Sequence, residues 1–243
     1  MRSPDIVGAG GGVGGIKVMG GLGQLDLRQL PGLFLWYKAE DVELPIGDPV
    51  PAWKDIGPFG VTAIQNTDAQ QAIVIAVPAK ANRKAISLDG VNDIYWLALT
   101  PANASNTYTV ALAHYHTSIV SGQYLWYPAA SLVLAPVGSG GGYGFSDGAW
   151  KVSHTNTPGY GVLSWQLNAA GGDVARQGLP VFNTTYTVRA VTASTTMFGN
   201  RPSGGVGSNL QGHVFEVVVF SPALTDAQRA LVDQYLMTKY EIG

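Results

Sequence analysis

The stretch from Gln211 to Tyr240 constrains this chain more than any other. Gln211-Gly212-His213-Val214-Phe215-Glu216-Val217-Val218-Val219-Phe220 reads as a strand. Regular alternation puts Phe215, Val217 and Val219 on one side, and Val214, Val218 and Phe220 with Glu216 on the other. Both faces are largely apolar, so the strand has to be covered twice. After a turn at Ser221-Pro222, Thr225 is placed to cap a helix, Gln228 stands at capping-box distance, and Asp226 suits the positive end of the helix dipole. Ala227, Leu231 and Tyr235, with Val232, Leu236 and Tyr240 on the adjoining row, give that helix an apolar face wide enough to supply one cover. No other stretch has comparable helical periodicity. The body before it is therefore expected to be β structure onto which one helix docks.

Within 243 residues, a single all-β domain with a full core is the expected unit. Charged residues make up 12% of the chain, against the roughly 25% usual in soluble domains. Either the surface is largely covered by neighbouring subunits or it is polar without being charged. A net charge of -2 with no Lys or Arg cluster leaves no electrostatic footprint for nucleic acid or an anionic membrane, so neither is expected as a partner. The absence of cysteine excludes disulfides and thiolate metal sites and leaves the redox compartment open. The residues from Met1 to Pro4 carry no compact apolar core followed by a cleavage site, so any export is expected to use a route other than a leader here. No apolar run is long enough to span a bilayer as a helix.

Gly10, Gly12 and Gly15 fit the spacing of a dinucleotide-binding loop, but that loop works only where it opens a helix. Ile16-Lys17-Val18-Met19-Gly20-Gly21-Leu22-Gly23 follows, with no helical pattern. Residues 1–30 are read instead as a Gly-rich arm for attachment or assembly, and residues 31–243 as the main domain.

Leu33-Phe34-Leu35-Trp36-Tyr37-Lys38 reads as the first strand of that domain, followed by loops around Pro45, Pro49, Pro51 and Pro58. Further strands are expected over residues 73–77, 84–88, 95–99, 108–116, 123–127, 132–137, 150–153, 162–167, 185–191 and 196–199. Many short strands separated by turns, with no intervening helices, indicate an all-β, two-sheet antiparallel jelly-roll sandwich with one C-terminal helix.

Four landmarks carry a family resemblance: Leu35-Trp36-Tyr37-Lys38-Ala39-Glu40, Trp53-Lys54-Asp55, Ile86-Ser87-Leu88-Asp89-Gly90-Val91-Asn92-Asp93, and Gly212 to Tyr240. In order and spacing they resemble concanavalin A-like, laminin-G-type jelly-roll domains, closest to versions in bacteriophage virion proteins and large bacterial surface proteins. The resemblance covers residues 31–243 and implies two curved antiparallel sheets packed face to face. It implies no single function, because such domains bind glycans, cleave them, bind proteins or build particles.

Candidate chemistry is sparse. Glycoside hydrolysis needs two carboxyl groups flanking the bond. Only Glu40, Glu43, Glu216 and Glu241 are glutamates, and no strand carries two carboxylates on one face, so Glu216 is read as a structural carboxylate bonded to a turn or to the helix end. Asp89, Asn92 and Asp93 are the best oxygen cluster for calcium, but Asp-Gly and Asn-Asp are ordinary turn sequences and the cluster is read as a hydrogen-bonded Asx turn between strands. His114 and His116 share a strand face without an acidic partner nearby and are read as surface or core histidines. No cofactor is expected. Between Gly138 and Gly161, Tyr143, Phe145, Trp150 and Tyr160 sit among glycines; rings of this kind more often plug the core or pack on a neighbouring subunit, and Tyr143, Trp150 and Tyr160 are the candidates if they instead stack on sugar C–H faces.

The expected function is a non-enzymatic virion structural protein of a bacteriophage, in capsid decoration or the tail. Its partners would be other virion proteins and further copies of itself, met through the N-terminal arm. The alternative is a glycan-binding, lectin-like module for host or surface attachment; a polysaccharide hydrolase is the third reading.

Overall fold

The computed structural model describes residues 25–99, 107–117, 125–129, 132–135, 143–147, 150–153, 158–168, 171–184, 194–198 and 209–243. Its strands are β1 (Leu33–Lys38), β2 (Ala52–Trp53), β3 (Ala63–Ile64), β4 (Ile73–Val77), β5 (Arg83–Asp89), β6 (Tyr95–Ala98), β7 (Tyr108–His116) and β8 (Trp126–Ala129). Then come β9 (Leu132–Ala135), β10 (Tyr143–Asp147), β11 (Trp150–Ser153), β12 (Gly159–Asn168), β13 (Gly171–Arg176), β14 (Leu179–Thr184), β15 (Ser194–Met197) and β16 (Gln211–Phe220), followed by the helix α1 (Asp226–Tyr240). They form two antiparallel sheets. The first runs β14-β13-β12-β7-β16-β5-β4 with β1 joined to β16; the second runs β11-β10-β9-β8-β15-β6-β3-β2. The chain is a β-sandwich with one helix on an outer face, as the strand pattern and the single amphipathic segment predict.

The strand β16 sits at the centre of the first sheet. It pairs with β7 along one edge; along the other it pairs with β5 over Gln211 to Val214 and with β1 over Glu216 to Phe220. Here the structure corrects the expected alternation. The register with β7 shifts between Val214 and Glu216, so Phe215 is the extra residue of a bulge. Val214, Val217 and Val219 therefore face the second sheet, whereas Phe215, Val218 and Phe220 face the helix, and Glu216 joins them. A bulge inserts one residue without a partner, which simple two-residue periodicity cannot anticipate.

Between the sheets lies a core with Phe34, Tyr37, Trp53, Tyr95, Phe145, Trp165 and Phe198. Two of the sequence landmarks hold its rim. Asp55 Oδ1 accepts from the backbone N–H of Trp36 and of Gly57, both at 2.7 Å, and the Trp53 indole donates to the Lys38 carbonyl at 3.0 Å. A second cluster fills the space between the first sheet and α1, with Leu27, Leu30, Trp36, Phe215, Phe220, Val232, Leu236 and Tyr240. Leu27 and Leu30 are fully buried there, so the end of the expected arm is part of this outer layer. The rest of the arm, residues 1–24, lies outside the described residues.

The helix starts as its sequence predicts: the Thr225 side chain accepts from the Gln228 N–H, and the Gln228 side chain accepts from the Thr225 N–H. Its buried face is rotated from the expected one. Arg229, Val232, Asp233, Tyr235, Leu236 and Tyr240 are buried, while Ala227 is exposed. The rotation is explained by what lies beneath: Arg229 is ion-paired to Asp173 on β13, and Asp233 accepts from the Ser164 hydroxyl on β12 at 2.9 Å. Two charged side chains thus take places that hydrophobicity alone would give to Ala227 and Leu231.

Candidate functional site

Glu216 is the carboxylate that a catalytic reading would have to use, and the helix closes over it. It is 0% exposed. Its Oε1 accepts from the Trp36 indole at 2.5 Å and the Tyr235 hydroxyl at 3.2 Å; its Oε2 accepts from the Lys239 ammonium and the Tyr240 hydroxyl, both at 2.7 Å. Lys239 also reaches Glu40 at 3.2 Å, and Glu40 meets Arg83 at 2.5 Å. Burial works against ionisation of Glu40, yet Lys239 and Arg83 hold its carboxyl below the usual range. Burial and the Glu216 charge push the Tyr235 and Tyr240 hydroxyls well above theirs, so both remain donors at any ordinary pH. A carboxylate with four donors and no opening to solvent is a structural clamp between β16, β1 and the helix end.

The two histidines of β7 are equally enclosed. His114 and His116 lie between the sheets with His114 Nε2 and His116 Nδ1 3.1 Å apart and their rings stacked. Burial, with His116 beside it, pushes His114 down to about 3, so its imidazole is neutral. Among the described residues no three His, Asp or Glu side chains are placed to hold a metal ion. The Asp89 to Asp93 segment is an Asx turn: Asp89 Oδ1 accepts from the N–H of Val91 at 2.7 Å and of Asn92 at 3.2 Å, and Asp93 Oδ2 accepts from the Asp89 N–H at 2.7 Å. Burial, with the Asp89 carboxylate adding to it, pushes Asp93 up to about 6.

The outer face of the first sheet differs beyond the helix end. Cross-strand register aligns Ile73 on β4, Ser87 on β5, His213 on β16, Tyr115 on β7 and Tyr160 on β12 in one row. Ile73 is exposed and the other four are half-buried. His213 and Tyr115 stand nearly parallel, 20° apart with ring centroids at 5.4 Å; Tyr115 and Tyr160 are 4.7 Å apart at 45°. Phe215 supports Tyr160 from below, and the Lys80 ammonium lies 4.6 Å from the Tyr160 ring centroid while donating to the Glu241 carbonyl at 2.7 Å. Burial pushes the His213 pKa down, so the ridge carries an uncharged imidazole at neutral pH. Gly212 makes the close approach possible: with φ +151°, its backbone passes so near β7 that a Cβ would sit 1.9 Å from the Tyr115 carbonyl oxygen.

Of the three stacking candidates, only Tyr160 enters this row. Tyr143 and Trp150 lie on the β10–β11 hairpin at one edge of the second sheet, Tyr143 opposite Ser153 and Trp150 opposite Ser146. The hairpin and Tyr160 thus belong to different sheets, and the side chains of Tyr143 and Trp150 fall outside the described ones. Sequence reading missed Tyr115 and His213. Tyr115 is visible as the residue between two histidines, pointing opposite to them, but its neighbours become known only through the long-range pairing of β7 with β16 and β12.

No family model and no curated protein matches the chain. Among solved structures it is similar to domain 4 of AbnA, a GH43 extracellular arabinanase from Geobacillus stearothermophilus, in complex with arabinotriose. The TM-score is 0.60 at 18% identity, over 85% of this chain and 100% of that one. It is also similar to Trypanosoma rangeli sialidase in complex with sialic acid, with TM-score 0.58 at 14% identity, over 85% of this chain and 33% of that one. A third likeness is to the binding domain of Paraclostridial Mosquitocidal Protein 1, with TM-score 0.60 at 11% identity, over 86% and 52%. The chain spans about a third of the sialidase and half of the mosquitocidal binding domain. These likenesses show the fold alone: a β-sandwich.

Proposed function

We propose that this chain is a non-catalytic glycan-binding module that takes its ligand on the outer face of the first sheet. The observation that carries the reading is the half-buried row of His213, Tyr115 and Tyr160 left open beyond the helix. Aromatic rings held rigidly at a surface offer apolar contact to sugar C–H faces at small cost in side-chain entropy. The company of the fold supports it: an arabinanase domain in complex with arabinotriose, a sialidase in complex with sialic acid, and a botulinum neurotoxin type C whose cell entry depends on two ganglioside molecules. Binding without cleavage is supported by the enclosure of Glu216, the carboxylate nearest the sheet centre.

Assembly into a bacteriophage particle draws on the sequence resemblance and the low charge, and it is compatible with sugar binding on the same domain. The test is a glycan array followed by titration calorimetry on the wild type and on Tyr115→Ala. Binding by the wild type that weakens about tenfold in the variant is expected, the worth of one good aromatic contact. Silence across diverse neutral and acidic sugars would defeat the reading.

A further inference from the structure

Resting on that reading, the structure assigns the site to a neutral, hydroxyl-rich oligosaccharide lying across the strands, rather than to a single sugar or an acidic glycan. The row crosses five adjacent strands, β4, β5, β16, β7 and β12. Four spacings of about 4.8 Å give it a length of roughly 19 Å, more than one sugar ring can cover. The two ends differ in chemistry. The Tyr160 end is aromatic, with the half-buried Lys80 ammonium 4.6 Å from the ring centroid and donating one hydrogen bond to the Glu241 carbonyl.

At the other end the row opens into a cavity of about 200 Å³ lined by Ala69, Gln71, Ile73, Ser87, Asp89 and Asp93. Asp89 is exposed at its mouth. A carboxylate has about four acceptor sites, and the turn amides of Val91 and Asn92 occupy two of them on Asp89. The remainder suits hydroxyl donors. Asp89 and Asp93 both line this pocket, so a uronic acid or sulfated sugar seated across the row would bring its negative charge against two carboxylates, with only the Lys80 ammonium, at the far end of the row, to attract it. An acceptor-lined pocket at one end and an aromatic ridge along the rest therefore select for hydroxyls and C–H faces together.

The test is calorimetric titration with neutral xylo-, arabino-, gluco-, galacto- and manno-oligosaccharides of one to six units, beside oligogalacturonates of the same lengths. Affinity is expected to rise with length for at least one neutral series and to be weaker by about tenfold or more for the acidic one. Asp89→Asn keeps an oxygen for the turn amides; it is expected to weaken the neutral ligand several-fold and narrow the discrimination, with an unchanged melting temperature. Equal or tighter binding of oligogalacturonates, affinity that stops rising at one ring, or no change in Asp89→Asn would overturn this assignment while leaving sugar binding in place. No binding by any probe defeats the proposed function with it. Light scattering is run alongside: a dimer that Tyr160→Ala dissolves would mean that the row is covered by a second copy, and would also overturn it.

Discussion

The outer face of the first sheet has two ends, and they are built on opposite principles. Under the helix, Glu216 is surrounded by Trp36, Tyr235, Lys239 and Tyr240, each donating to it. Beyond the helix, His213, Tyr115 and Tyr160 lie on the same face of neighbouring strands and remain half-open to solvent. The bulge at Phe215 stands between the two regions and re-aims the strand so that Phe215 and Glu216 both meet the helix. Polar density in a fold is therefore no guide to function here: the end richest in charge is the one closed to ligands, and the aromatic end is the one that can be reached.

The largest expected effect tests the closed end. Glu216→Ala leaves the Lys239 ammonium and the Trp36 indole without their buried acceptor and should destabilise the domain by about 3 to 5 kcal/mol in urea unfolding. A loss below about 1 kcal/mol would mean that water or a moved helix replaces the carboxylate, and the contrast between the two ends would weaken.

Next comes the boundary of the outer layer. Because Leu27 and Leu30 are buried beside the helix, a chain beginning at Pro31 should melt lower than one beginning at Leu25, with a loss of about 2 to 5 kcal/mol by analogy with large core truncations. Equal melting of the two would show residues 25–30 to be dispensable, as the sequence alone suggests.

The third expectation concerns pH. Burial pushes Asp233 up to about 6, against an unfolded value near 4. The folded state then binds the proton more tightly, so this group favours folding below about pH 4 and that contribution fades as pH rises to 6. Asp93, raised to about 6 in the same way, adds a slope of the same sign. Asp233→Asn keeps an acceptor for Ser164 and leaves Arg229 its partner Asp173, so it should stabilise the protein at pH 7 by on the order of 2 kcal/mol. It should also reduce the slope between pH 4 and 6 without abolishing it. An unchanged slope would show Asp233 to be ionised in the fold.

The smallest effect on stability is expected at the open end. Tyr160→Ala should cost about 1 kcal/mol or less in unfolding, since the ring is half-buried and rests on Phe215. Its consequence should appear in binding.

The β-sandwich, the docking helix and its capping box were legible in the sequence because each rests on local signals: alternation, turn residues and the Thr225–Gln228 spacing. The strands β10, β13 and β14 were not, because Gly144, Gly171, Gly172 and Pro180 dilute the pattern. The structural role of Glu216 was legible from its isolation among Val and Phe. The open row was not, since it is assembled by register among five strands drawn from positions 73 to 213, and a single bulge decides which side of β16 each residue takes. Tyr160 alone was within reach, marked by the glycines on either side of it.

The most direct measurement is a calorimetric titration of the tightest-binding neutral oligosaccharide into the Tyr115→Ala/Tyr160→Ala double variant, beside Trp150→Ala. Binding is expected to be abolished in the double variant, with its melting temperature within a few degrees of wild type, and to be intact in Trp150→Ala. Binding retained in the double variant and lost in Trp150→Ala would move the site to the β10–β11 hairpin and contradict that expectation.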